Sequence, residues 1–241
     1  MIVQRIRSLI FDVIFYPCTF LILATGSLFW WGPRVLSGWV YPSHSYMTSF
    51  LLRWIVGLNH RVEGLEHLID GPVIIASKHQ SAWDTFIFGQ YLCDPAIVYK
   101  KDLQWLPPLG FILMHQKMIP VSRGKGKSAL KELMGASRQA VELARPILIF
   151  PEGTRQPPGA KTKCQAGTGV LYQMLDIPVI PVALNSGYFW GRRSFFKKPG
   201  TMVLRFLPAI APGLERAQFL HELETRIEEA CQDIDPTINH D

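Results

Sequence analysis

His79 and Asp84 stand five residues apart in KHQSAWD (78–84), directly after the apolar run Val73-Ile74-Ile75-Ala76. A carboxylate bonded to one imidazole nitrogen fixes the ring's tautomer and supports the charge that builds as the other nitrogen takes a proton, which is the chemistry of a general base. In a regular helix, five positions turn through about 500°, which leaves the two side chains about 140° apart. They can meet only if His79 lies in the loop before a helix and Asp84 in its first turn. Ser81-Ala82-Trp83-Asp84 matches the capping box, in which a serine caps the helix start and an acid three residues on reaches back, and so places that boundary. The same residues have a plainer reading, as a helix start alone with His79 as the polar end of a strand. The HxxxxD spacing by itself does not choose between them.

A partner nucleophile is missing: there is no GxSxG, and Cys93 and Cys164 lie in no pairing pattern. The base would therefore act directly on a substrate hydroxyl, in a ternary complex rather than through a covalent intermediate. Two further clusters could hold an anion. Arg123 follows MIPVS, with Lys125 and Lys127 behind it. GKS at 126–128 matches the tail of a phosphate-binding P-loop, but Val121 stands where that loop needs glycine, so the two lysines read as a solvated turn and Arg123 as the anion contact. FPEGTR (150–155) offers Gly153 for close backbone approach, Thr154 as a hydrogen-bonding hydroxyl and Arg155 as a bidentate phosphate ligand. Glu152 beside Arg155 could equally form a plain surface ion pair.

Elements able to position these groups follow from the alternation of short apolar runs with helical stretches, the pattern of an α/β domain. Strands are expected at 72–77, 96–99, 118–121, 147–150, 179–183 and 202–207, and helices at 82–92, 128–144, 167–175 and 214–233. The three polar clusters each follow a strand, where open α/β sheets place their ligand sites. The expected fold is a mixed, mostly parallel sheet flanked by helices (61–241), behind an N-terminal membrane-associated helical hairpin (1–60).

That hairpin rests on composition. Of 241 residues, 48% are hydrophobic and 18% charged, with 21 tryptophans and phenylalanines. Residues 8–31 carry Asp12 as their single charge, long enough to cross a hydrocarbon core, with Arg5 and Arg7 before the run and Trp30-Trp31 at its far end. Pro17 and Gly26 speak against a straight spanning helix, so crossing and folding back both stay open. Met47, Phe50, Leu51, Trp54, Ile55 and Leu58 form one helical stripe, suited either to the core or to a membrane interface. The net charge of +6 favours an anionic partner. In YFWGRRSFFKKPG (188–200), aromatic rings alternate with cations; beside an apolar N-terminus the stretch reads as interfacial or as a loop packed on the hairpin, and no nucleic-acid partner is expected. Four scattered cysteines without a CxxC pair support neither a disulfide framework nor a zinc site.

Taken in order, KHQSAWD, KKDLQWLPPLG (100–110), MIPVSR (118–123), FPEGTR and VIPVALNS (179–186) resemble the glycerolipid acyltransferase family of 1-acyl-glycerol-3-phosphate acyltransferases, over roughly residues 60–210. The resemblance implies a catalytic dyad at His79 and Asp84. It implies binding of a phosphorylated acceptor by Arg123, Glu152, Gly153, Thr154 and Arg155, with help from Lys100 (Lys101 is its neighbour), and a groove lined by Ile180-Pro181-Val182. It further implies lysophosphatidic acid as acceptor, acyl-CoA or acyl-carrier protein as donor, no cofactor or metal, contact with membrane lipids, and a place on the cytoplasmic face of a bacterial inner membrane. Lys78 replaces a common asparagine and Ser122 a common aspartate; losing that acid leaves the surroundings of Arg123 more positive, which suits a phosphate monoester. Rival readings are another acceptor, such as glycerol 3-phosphate, a lyso-ornithine lipid or another lysolipid, and a non-catalytic lipid-binding protein on the same fold.

Overall fold

The structure, a computed structural model, describes residues 1–122 and 127–237, without the side chains of 127–129. The chain runs α1 (Ile2–Ser27), α2 (Val40–Leu51), β1 (Leu58–Glu63), β2 (Ile74–Ser77), α3 (Asp84–Ile87), β3 (Ala96–Lys100), α4 (Leu109–His115), β4 (Ile119–Val121), α5 (Lys127–Glu142), β5 (Ile147–Ile149), α6 (Ala166–Leu175), β6 (Val179–Leu184), β7 (Gly200–Phe206) and α7 (Arg216–Asp233). The strands form one sheet in the order β1-β7-β6-β2-β5-β3-β4. Neighbours are parallel except β6 and β7, which run antiparallel.

Strand alternation divides the core into two layers. Ile75, Leu148, Ile180 and Val182 face the N-terminal side, against Phe11 and Phe15 of α1, Leu51 of α2 and Trp83. Ile74, Ala76, Ile147 and Val179 face the other side, against Leu133 of α5, Leu171 and Tyr172 of α6 and Phe219, Leu223 and Ile227 of α7. With both faces covered, the central strands are continuously apolar. Because β2, β5, β6, β3 and β4 are mutually parallel, their carboxyl ends share one edge of the sheet, and KHQSAWD, FPEGTR and Asn185-Ser186 all emerge there.

The six expected strands are present. β1 is the addition: Leu58–Glu63 pairs with β7 in parallel, so the boundary drawn between residues 60 and 61 cuts through a strand. Its charged, half-exposed LNHRVE is typical of a sheet edge and gives little apolar alternation to read. The helix expected at 82–92 is a single turn, α3, followed by a 3₁₀ turn at Phe88–Gln90. The stripe at 47–58 splits: Leu51, Leu52 and Val56 enter the core while Phe50 and Trp54 are exposed, across a π-helical turn at Leu52–Val56.

α1 and α2 form the hairpin. Gly26 lies so close to Val40 that an added Cβ would stand 2.3 Å from its Cγ2, and Thr19 Oγ1 meets His44 Nε2 at 3.0 Å. α1 lies along the domain rather than projecting from it. Near its start, Gln4 Nε2 donates to the carbonyls of Val56 (3.2 Å) and Lys197 (2.9 Å); at its end, Ser27 Oγ donates to Pro108 O at 3.3 Å. Phe11 and Phe15 are buried, whereas Val13, Tyr16, Phe20 and Leu21 on the opposite side are exposed.

Candidate active site

β2 ends at Ser77, and the chain then turns through Lys78-His79-Gln80 into the single turn of α3. Asp84, fully buried, is the organising group of that turn. Its Oδ2 accepts hydrogen bonds from His79 Nδ1 (3.0 Å), Gln80 N (2.6 Å) and Ser81 N (2.7 Å), while its Oδ1 accepts from Ser186 Oγ at 2.5 Å. Trp83 N donates to Ser81 Oγ at 3.3 Å. One aspartate thus serves as the returning acid of the helix start and as the histidine's partner; the two readings of KHQSAWD describe the same contacts. Nδ1 facing a carboxylate carries the proton, an assignment made from this hydrogen-bond network, and Nε2 is left as the basic nitrogen. Nε2 has no hydrogen bond among the described residues, and the ring stacks on Phe150 with centroids 4.2 Å apart.

The loop after β5 is clamped to this turn. Gln156 N donates to His79 O at 2.8 Å, and His79 N donates to Glu152 Oε2 at 3.1 Å. Lys78, 1% exposed, places its Nζ 2.9 Å from Glu152 Oε1, 2.7 Å from Ala160 O and 2.9 Å from Thr162 Oγ1. Burial pushes the Glu152 carboxyl above its ordinary range, and the adjacent Lys78 ammonium and His79 N–H pull it back. The Glu152 carboxylate is turned inward, onto Lys78 Nζ and the His79 backbone N–H.

Gly153 takes the left-handed conformation (φ +67°) that closes the turn, with its N–H on Phe150 O at 2.9 Å. Gly153, Thr154 and Arg155 are then delivered to the same hollow as His79. Lys100, at the end of β3, also lines that hollow and pairs with Asp102; its neighbour Lys101 bonds Glu132 instead, at 2.5 Å. Arg123, with Lys125, lies outside the described residues. Arg192, in the stretch expected to be interfacial or packed on the hairpin, donates to Arg155 O at 3.2 Å.

Behind these polar groups the hollow continues as a cavity of about 980 Å³ with mostly apolar walls, lined among others by Leu23, Val35, Phe86, Tyr99, Ile112 and Leu133. Ile180 and Val182 belong to the sheet core and Pro181 pairs with Ala76, so this block does not line the cavity as the resemblance implied. Ser186, the Lys78–Glu152 pair and Phe150 were missed as contributors. The end of β6 beside β2 on a parallel edge was the available signal for Ser186.

The model of the Acyltransferase family matches residues 59–185, more than half of the chain. The chain belongs to the acyltransferase family. A 1-acyl-sn-glycerol-3-phosphate acyltransferase of Pseudomonas aeruginosa is 32% identical over 94% of this acyltransferase and 89% of its own length. Proteins of the same description from Limnanthes douglasii (27%, over 69% of this chain) and Saccharomyces cerevisiae (27%, over 75%) match over 60% of their own lengths. The crystal structure of the 1-acyl-sn-glycerophosphate (LPA) acyltransferase, PlsC, from Thermotoga maritima superposes with a TM-score of 0.79, at 19% identity, over 98% of this chain and 99% of that one. That likeness bears out the mixed, mostly parallel sheet flanked by helices.

Proposed function

We propose that this acyltransferase moves a fatty acyl group from acyl-CoA or acyl-carrier protein to the 2-hydroxyl of lysophosphatidic acid, giving phosphatidic acid. The observation that carries the reading is the His79 Nδ1–Asp84 Oδ2 bond at 3.0 Å, made at the mouth of a long apolar cavity that Arg155 also lines. The similarity to 1-acyl-sn-glycerol-3-phosphate acyltransferases supports the acceptor, and the cavity's apolar walls suit an alkyl chain.

In this mechanism His79 Nε2 takes the proton of the 2-hydroxyl as that oxygen attacks the thioester carbonyl. The tetrahedral intermediate collapses with cleavage of the C–S bond, and the imidazolium returns the proton to the departing sulfur, leaving a free thiol. Asp84 stays ionised, holding the ring's tautomer and countering the imidazolium charge. Thr154, Arg155 and Lys100 hold the acceptor's phosphate so that its hydroxyl lies against the base, an orientation effect worth several kcal/mol in well-aligned cases. Glu152 serves indirectly, by keeping the loop that carries Arg155 against His79.

The reading extends to the membrane. A helix of 26 residues tied at both ends to the domain lies along it for about 39 Å. With its outward face apolar, α1 rests in one leaflet's interface rather than crossing the bilayer. Trp31 (93% exposed) and Trp54 (68%) supply interfacial aromatic anchors to this reading.

The test supplies purified protein in detergent with acyl-CoA or acylated carrier protein and a panel of acceptors: lysophosphatidic acid, glycerol 3-phosphate and lysolipids lacking a phosphate monoester. Mass spectrometry is expected to find phosphatidic acid formed fastest, with equimolar thiol released. Asp84→Asn is expected to lose on the order of 10⁴ in kcat, as when a catalytic histidine loses its orienting acid. Transfer by His79→Ala and Asp84→Ala near the original rate would remove the dyad.

A further inference from the structure

We infer that Ser186 is a positioning residue for the dyad, setting the plane of the Asp84 carboxylate and through it the aim of His79; the inference rests on the acyl-transfer reading above. Asp84 Oδ2 is held by three donors, all from its own turn, namely His79, Gln80 and Ser81. Among the described residues Oδ1 has one donor, Ser186 Oγ at 2.5 Å, which reaches it from 102 residues further along the chain. Both residues are fully buried, so water cannot stand in for the hydroxyl. Held by Oδ2 alone, a carboxylate is free to rock about its Cβ–Cγ bond. A second fixed contact on Oδ1 removes that rotation, and with it the freedom of the lone pair that receives His79 Nδ1–H. A hydroxyl donor also favours the ionised carboxylate in a dry site, where hydrogen bonds to charges are strongest.

Ser186 is itself rigidly placed. Its carbonyl accepts from Phe189 N (3.1 Å) and Trp190 N (2.9 Å) in the turn that follows β6. On either side, Asn185 Oδ1 accepts from Val203 N at 2.8 Å, and Gly187 N donates to Gln80 Oε1 at 3.0 Å. Gln80 supplies one of the backbone donors to Asp84, so β6 braces the histidine turn at two points. A serine kept only for packing would satisfy its hydroxyl on a neighbouring carbonyl; this one is directed at the carboxylate.

The test compares wild type, Ser186→Ala and Ser186→Thr, each purified full-length in detergent, with lysophosphatidic acid and acyl-CoA as probes. Loss of one hydrogen bond to a buried charge is expected to lower kcat about tenfold. KM for both substrates stays within about twofold. Ser186→Thr, which keeps the hydroxyl, restores most of the rate. A readout free of turnover is the ¹⁵N NMR signature of the His79 imidazole: one tautomer with the proton on Nδ1 in wild type, a mixture in Ser186→Ala. Should the threonine variant fail to fold, the alanine variant and the ¹⁵N spectrum decide alone. A folded Ser186→Ala with unchanged kcat and a single tautomer overturns the inference. So does a rate loss that vanishes when activity is corrected for the folded fraction. Wild type that transfers no acyl group to any acceptor would remove the acyl-transfer reading, while the spectra would still report on Ser186.

Discussion

The Lys78 ammonium and the Glu152 carboxylate, each 1% exposed, meet at 2.9 Å directly beneath the turn that carries His79. Removing one member of such a pair leaves the other charge buried, which costs about 3–5 kcal/mol, whereas removing both costs far less. Lys78→Met is therefore expected to lower unfolding stability by about that amount, and Lys78→Met/Glu152→Gln to recover most of it. Denaturant midpoints of the two variants measure this, and equal midpoints would show that the pair is not coupled.

Acid stability should report on His44. Burial holds its imidazole at about 4, against an ordinary 6.5. Between those values the unfolded chain binds a proton that the folded chain refuses, so stability present above the ordinary value is lost as pH falls toward 4. At pH 5 the loss amounts to about 2 kcal/mol. His44→Gln has no proton to gain, and the difference between its stabilities at pH 7 and pH 5 is expected to be smaller by about that much. An identical pH dependence in both proteins would refute the assignment.

Lys197 ties the loop after β6 to α1. It is 1% exposed, its Nζ lies 2.7 Å from Asp12 Oδ1, and the Phe11 and Trp190 rings are centred 4.9 and 5.0 Å away. Lys197→Ala strands Asp12 and empties the aromatic cage, so α1 should detach locally. Trypsin is expected to cut at Arg5 and Arg7 at least about tenfold faster, since opening governs cleavage of a docked segment. Unchanged digestion would mean that α1 is held by other contacts.

The cavity should set which acyl chains are accepted. Leu113 and Ile112 line it, and a tryptophan at Leu113 would fill part of its volume. Competition between short and long acyl-CoA donors is expected to shift toward the short chain by about 10-fold or more, the scale at which pocket volume discriminates methylenes. An unshifted ratio would place the acyl chain elsewhere.

Much of this was legible in the chain because parallel strands buried on both faces are short, apolar and bounded by polar residues. That is why β2, β3, β5 and β6 could be found, and with them the polar residues at their carboxyl ends. β1 was not, since its stability comes from pairing with β7, some 140 residues away in the register Leu58↔Gly200, and the edge position leaves its sequence polar. The buried partner of Glu152 was hidden for a related reason: nothing in EGTR announces that the fold brings Lys78 under it. Ser186 was passed over because a lone serine after a strand carries no pattern, and its meaning lies wholly in facing Asp84.

The double attachment of α1, through Gln4 at one end and Ser27 at the other, makes the anchor part of the same rigid body as the catalytic turn. With α1 seated in the interface as proposed, a protein moored this way could not lean away from its lipid on a flexible stalk, and the opening beside His79 would be kept at one height over the headgroups. An amphiphile in that leaflet then needs only to drift sideways and tip its polar end upward, without ever leaving the oily layer in which its tail is dissolved.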